Sequence, residues 1–222
     1  MVFIVFEGGD GAGKSTQCRS LLHRLRRRGY PVVITREPGG TPLGESLRRL
    51  LKSRQNISNL SELLLFEAAR AQLVEQVIRP ALLVGKTVIC DRFTASSIAY
   101  QGYGRGLDLG LIYQLNGYAT GGLSPDLTIW LDLPVEVGMA RREQSDGDTF
   151  DSAAPEFHQK VREGYSALAE QNPGKWLVLD ATQSPRELAR TIWTKVQPLL
   201  IIRGAEGFLP IVSPMLEPSS SG

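Results

Sequence analysis

The chain has 222 residues, 42% of them hydrophobic, and its 25 Lys and Arg against 23 Asp and Glu leave a net charge of +2. That length and composition suit one α/β domain with a sizeable core, and the near-even charge excludes attraction to nucleic acid or membrane by field alone. Two cysteines without metal-ligand spacing, no stretch of transmembrane length and no basic leader before a long apolar run point to a reducing, cytoplasmic compartment.

The first apolar run, residues 2–6, reads as a strand covered on both faces, and a helical pattern spans residues 15–28. Between them stands Gly8-Gly9-Asp10-Gly11-Ala12-Gly13-Lys14-Ser15, which meets every fixed position of the phosphate-loop pattern G-x-x-x-x-G-K-[ST]. Strand, loop and helix in that order are what the chemistry requires. Glycines let the backbone curl and aim successive N–H groups at one point, while the helix N-terminus adds partial positive charge. The pattern gives Lys14 reach to the outer phosphates of a nucleoside triphosphate and makes Ser15 a Mg²⁺ ligand, with Thr16 beside them in the nucleotide-binding set. The cluster Arg24, Arg26, Arg27 and Arg28 closes the helix, where cations favour the dipole, and reads as a solvated helix end.

A second strand at residues 32–35 runs into TREPGGT, where Pro38 and two glycines fix the loop and Arg36 puts a charge at the strand's carboxyl end. In the long helical stretch 60–83, Phe66 and Arg70 are four apart and share a face, joining an aromatic plate to a forked donor. Taken singly, Phe66 is a core residue and Arg70 a solvated charge; the surrounding constellation reverses that reading. The third strand, 87–90, leads to Asp91-Arg92-Phe93 and on through Ser96, Ser97, Tyr100 and Gln101 to Gly102-Tyr103-Gly104-Arg105-Gly106. Asp91 sits where a carboxylate holds Mg²⁺ through water, and Arg92 is placed to bridge donor and acceptor phosphates. Arg105 reads as a loop anchor, and His23 and His158 as ordinary helix histidines.

Strands at 127–133 and 176–179 alternate with helices at 109–119, 134–142, 154–170 and 185–200, the last opened by a Ser184 N-cap and Pro185 at the first helical position. The alternation predicts an α/β fold of the P-loop NTPase type: a parallel five-stranded sheet flanked by helices on both faces. Ligands in such a sheet sit beyond the carboxyl ends of the strands. The polar segment 143–155 (EQSDGDTFDSAAP) reads as a lid and residues 201–222 as a disordered tail, leaving 1–200 as a single domain.

TREPGGT and DRFTASSIAYQGYGRG resemble the thymidylate kinase family, and the similarity covers nearly all of residues 1–200, including Leu179-Asp180-Ala181-Thr182. The resemblance implies ATP- and Mg²⁺-dependent phosphorylation of dTMP to dTDP by a homodimer, with the helices at 60–83 and 109–119 supplying its interface. It implies that Phe66 stacks on thymine while Arg70 and Gln101 hydrogen-bond its polar edge. Asp10 would contact the sugar 3′-hydroxyl, Tyr100 crowd the 2′ position, and Arg36 and Arg92 hold the acceptor phosphate, with Arg48, Ser96 and Ser97 lining the same pocket. In one respect the chain departs from the family. Bacterial members without a phosphate-loop arginine usually carry one in an Asp-Arg-hydrophobic-Glu lid, yet this loop has Gly11 and the lid reads Asp148-Thr149-Phe150-Asp151. Charge neutralisation then falls on Arg141 or Arg142, and the family's pattern favours Arg141. The competing readings are a kinase for another nucleoside or nucleoside monophosphate, a regulatory GTPase, and a weakly active nucleotide-binding protein. The GTPase lacks support, because no Asn-Lys-x-Asp stretch is present to read guanine.

Overall fold

A computed structural model describes residues 1–53, 56–143 and 154–206. Five parallel strands, β1 (Phe3–Glu7), β2 (Val32–Arg36), β3 (Thr87–Asp91), β4 (Leu127–Asp132) and β5 (Trp176–Asp180), form one sheet in the order β2-β3-β1-β4-β5. All five lie within two residues of their predicted positions. β1 is central, and its side chains alternate between two cores. Ile4 and Phe6 pack with α1 (Lys14–Arg27) and α9 (Pro185–Glu206), against Leu21, Leu25, Ile192 and Val196. Phe3 and Val5 pack on the other face with Leu73 and Ile78 of the 59–83 helical stretch and with Phe93. A third cluster joins α6 (Leu109–Thr120) and α8 (Pro155–Gln171) through Ile112, Val161 and Tyr165 to Trp130 of β4. Burial on both faces is why the strands read as unbroken apolar runs. Cys18 and Cys90 are free and buried in these cores, and burial pushes both thiols well above their ordinary range.

The stretch read as one helix over 60–83 is three pieces: α3 (Asn59–Leu73), a π-helical turn (Val74–Ile78) and α4 (Arg79–Leu83). Two further helical stretches have no counterpart in the sequence reading. α2 (Pro42–Lys52) starts on Thr41, whose side chain accepts from the Gly44 N–H, with Pro42 at the first turn. α5 (Thr94–Ser97) runs into a second π-helical turn, Ile98–Gly104. The 94–104 stretch carries the polar cleft residues Ser96, Ser97 and Gln101, which interrupt its apolar pattern. The Ser184 cap is a reciprocal box: Ser184 Oγ accepts from Glu187 N–H while Glu187 Oε2 accepts from Ser184 N–H at 3.0 Å. α9 continues to Glu206, six residues past the predicted end. The lid residues 144–153 and the tail residues 207–222 lie outside the described residues. No described helix is long and apolar enough to cross a membrane.

Candidate active site

The phosphate loop leaves β1 at its carboxyl end and enters α1. Gly8, Gly11 and Gly13 take φ of 136°, 79° and 87°, a region costly for any residue with a Cβ. Gly13 caps α1 with no side-chain hydrogen bond, so the first N–H groups of the helix point outward for an anion. Lys14 lies across the loop, its Nζ donating to Gly8 O (2.9 Å) and Gly9 O (2.8 Å). Burial and the nearby Arg92 charge push the Lys14 ammonium below its usual range. Ser15 Oγ donates to Asp91 Oδ2 at 2.6 Å, which brings together the hydroxyl and carboxylate expected at Mg²⁺. Ala12 is buried beneath the loop, and Thr16 opens the exposed side of α1.

Beside this loop is a cleft lined by Asp10, Phe66, Arg92, Ser96, Ser97, Tyr100 and Gln101, all of which the sequence singles out. Arg92 joins loop and cleft. Its Nη2 donates to Asp10 Oδ1 (2.6 Å) and Tyr100 OH (3.2 Å), and its Nη1 to Ser96 Oγ (3.2 Å) and Tyr165 OH (3.4 Å). Its backbone sits at φ 73°, costing roughly 1–2 kcal/mol in a residue with a Cβ. Strain of that kind persists where the surroundings fix the conformation, as at a functional site. Arg36 and Arg48, expected at the acceptor phosphate, are not part of this lining: exposed Arg36 pairs with Glu45 at 3.3 Å, and Arg48 Nη1 donates at 3.0 Å to the carbonyl of Pro38, which does line the cleft.

Arg70 is placed differently from Phe66. It is 1% exposed and lies under the cleft rather than on its wall. Its guanidinium donates to Glu37 Oε2, Glu67 Oε1, Ser97 Oγ, Asn116 Oδ1 and Phe93 O, and Ser97 is buried with it. Burial raises the Glu37 carboxyl to about 7, against the pull of Arg70. The ion pairs with Glu37 (2.7 Å) and Glu67 (2.6 Å) hold the Arg70 proton more tightly than usual.

Four acidic or phenolic groups escape the sequence reading. Glu7, fully buried, accepts from Phe93 N–H (2.9 Å), Ser96 Oγ (2.7 Å) and Tyr165 OH (2.9 Å), and burial raises its carboxyl. Its signal was a charge ending the apolar run VFIVF. Glu37 stood inside TREPGGT, and Glu62, on the cleft wall, is one helical turn before Phe66. Tyr165 gave no local signal, because it is 158 residues from Glu7.

The phosphate loop also touches α7 (Val135–Glu143). A Cβ on Gly11 would lie 2.7 Å from Gly138 O, and one on Gly138 would lie 3.0 Å from Asp10 O. Glycine on both sides lets the loop and helix approach, and a side chain at position 11 would strike the Gly138 carbonyl. One turn beyond Gly138, exposed Arg141 donates from Nη1 to Ala181 O (3.1 Å) and Gly11 O (3.4 Å).

The fold and these motifs recur in known proteins. A model of the family described as thymidylate kinase matches residues 6–192. A thymidylate kinase of Synechococcus sp. (strain JA-3-3Ab) is 54% identical over 200 residues, covering 90% of this chain and 97% of that protein. One from Dehalococcoides mccartyi (strain ATCC BAA-2266 / KCTC 15142 / 195) is 49% identical over 201 residues, with the same coverage. The crystal structure of thymidylate kinase from Ehrlichia chaffeensis superposes with a TM-score of 0.74 at 37% identity, over 88% of this chain and 98% of that one. A phosphate loop and an aromatic-walled cleft joined by one arginine, matched along almost the whole chain, place this protein in the thymidylate kinase family.

Proposed function

We infer that the chain transfers the terminal phosphoryl group of ATP to dTMP, forming dTDP for dTTP synthesis. The observation that carries this is Arg92, whose guanidinium contacts Asp10 of the phosphate loop and Tyr100 and Ser96 of the cleft. Two phosphate-bearing substrates repel each other, so a kinase must place cations where both groups meet. Lys14 and Arg92 act at the transferring group, with Arg36 and Arg48 toward the acceptor phosphate. Gly8 to Thr16 hold the donor phosphates on backbone N–H groups. Phe66 stacks on the base; Gln101 reads its edge, with Arg70 beneath. Asp10 and Tyr100 face the sugar. Ser15 and Asp91 fit Mg²⁺, an oxygen-loving cation that when bound neutralises charge on the donor phosphates. Arg141, already at Gly11, is the cation on the donor side.

A homodimer in the cytoplasm completes this reading. The outer faces of α3 and α6 leave Leu60, Leu64, Leu111, Tyr113 and Tyr118 exposed, apolar surface that suits a second copy. The test follows products: with ATP, Mg²⁺ and dTMP, dTDP and ADP should form one for one. ADP released without dTDP would exclude the transfer.

A further inference from the structure

Gln101 and Glu62 meet on the wall of the cleft that Phe66 also lines. The Gln101 side-chain amide donates from Nε2 to Glu62 Oε1 at 2.8 Å. An ionised carboxylate accepts hydrogen bonds and cannot donate one, so only the NH₂ end of the amide can face it. The orientation of this amide is therefore dictated by its partner's chemistry. Glu62 is itself held by the guanidinium of Arg105, which donates from Nε to Oε1 (3.3 Å) and from Nη2 to Oε2 (3.2 Å). Gln101 Oε1 takes no hydrogen bond among the described residues. With one Nε2 hydrogen given to Glu62, the amide turns its NH₂ end to that carboxylate, and the end left without a partner is Oε1, an acceptor.

Pyrimidine bases differ at that point. Thymine and uracil carry an N–H at N3, whereas cytosine carries a lone pair there. The geometry points to Glu62 as a positioning residue for base choice. By holding the Gln101 amide with its carbonyl oxygen toward the cleft, it makes the site favour a base with an N3–H and reject one with an N3 lone pair. Arg105 keeps Glu62 in place, which gives that loop arginine a task. The inference rests on the reading that the cleft holds the base of dTMP. A purely structural Glu62–Arg105 ion pair would support the wall without affecting which pyrimidine enters.

The test compares kcat/KM for dTMP, dUMP and dCMP in the wild type, Glu62→Gln, Gln101→Leu and the double variant. A glutamine at position 62 both donates and accepts, so it no longer dictates which way the Gln101 amide lies. In Glu62→Gln the dTMP-over-dCMP ratio should fall about tenfold or more, with dTMP and dUMP moving together. In the Gln101→Leu background the same change should leave the ratio where Gln101→Leu put it. An unchanged ratio in Glu62→Gln, or an equal fall with Gln101 removed, overturns the inference while leaving dTMP as substrate. If Glu62→Gln does not fold, Arg105→Gln, which loosens Glu62 through its other contact, carries the same comparison: a lower ratio supports the inference and an unchanged one overturns it. A wild type that phosphorylates none of the three nucleotides removes the dTMP reading and this inference with it.

Discussion

The candidate catalytic side chains are held partly by partners within their own motifs and partly by residues far away in the chain. Lys14, Ser15, Asp91 and Arg92 are legible because motif spacing and chemistry coincide, and the structure brings Ser15 to Asp91 and Arg92 to Asp10. Their supports, Glu7 and Tyr165, were not legible, because they converge from β1 and α8 with no shared spacing. Arg70 shows the opposite limit: it was read as sharing a face with Phe66, but Glu37 and Glu67 hold it below the cleft that Phe66 lines. If Lys14 and Arg92 stabilise the transition state, Lys14→Ala and Arg92→Ala should lower kcat about 10²-fold or more, well beyond any rise in KM. Steady-state kinetics on the folded variants decides this, and near-normal kcat in either would remove its role. Glu37 gives a pH prediction. Facing Arg70, Glu67 and Glu7, it titrates at about 7 in the folded chain against an ordinary 4.5. The folded state thus keeps the proton to higher pH than the unfolded one, so this group's stability is full below about 4.5 and lost as pH rises through about 7. Glu37→Gln cannot ionise. The Tm difference between wild type and variant should therefore move against the wild type from pH 4.5 to 7 and then level off; a difference that ignores pH would contradict the assignment.

At the level of elements, strands were more legible than helices. Apolar runs buried on both faces marked all five strands, and the capping signal at Ser184 was realised as a reciprocal hydrogen-bonded box. The 94–104 stretch was missed because its polar positions serve the cleft, which breaks the 3.6-residue apolar period; α2 was missed although its Thr41 cap and Pro42 were helix-start signals. The arginines ending α1 were read as solvated charges. Arg24 and Arg28 instead lie over the Trp193 ring, 4.8 and 4.6 Å from its centroid, joining α1 to α9. The close approach of the phosphate loop to α7 depends on Gly11. Gly11→Ala, at φ 79° and against Gly138 O, should destabilise by about 1 kcal/mol or more, about 2–4 °C in Tm. An unchanged melting temperature would show that the loop moves freely from α7. That packing also sets Arg141. Neighbouring helix residues point about 100° apart, and Arg141 is the one that reaches the loop at Gly11 O. Arg141→Ala should lower kcat about tenfold or more with dTMP affinity nearly intact, while Arg142→Ala should do little. Equal, mild effects would make both of them ordinary helix-end cations.

Across the whole molecule, the order of strands and helices carried the fold, and two loop motifs carried the family. The parallel sheet places the carboxyl ends of β1, β2 and β3 side by side, so the loops after them meet at one edge. Those loops bring a phosphate cradle, a fixed Arg36 turn and Arg92 together. The central claim is that this edge holds ATP beside a deoxyribose pyrimidine monophosphate. Its most direct test is ADP release measured with dTMP and with UMP under the same ATP and Mg²⁺. The proposed placing of Tyr100 at the sugar and Gln101 at the base requires a kcat/KM for dTMP far above that for UMP. Comparable values for the two would contradict the account.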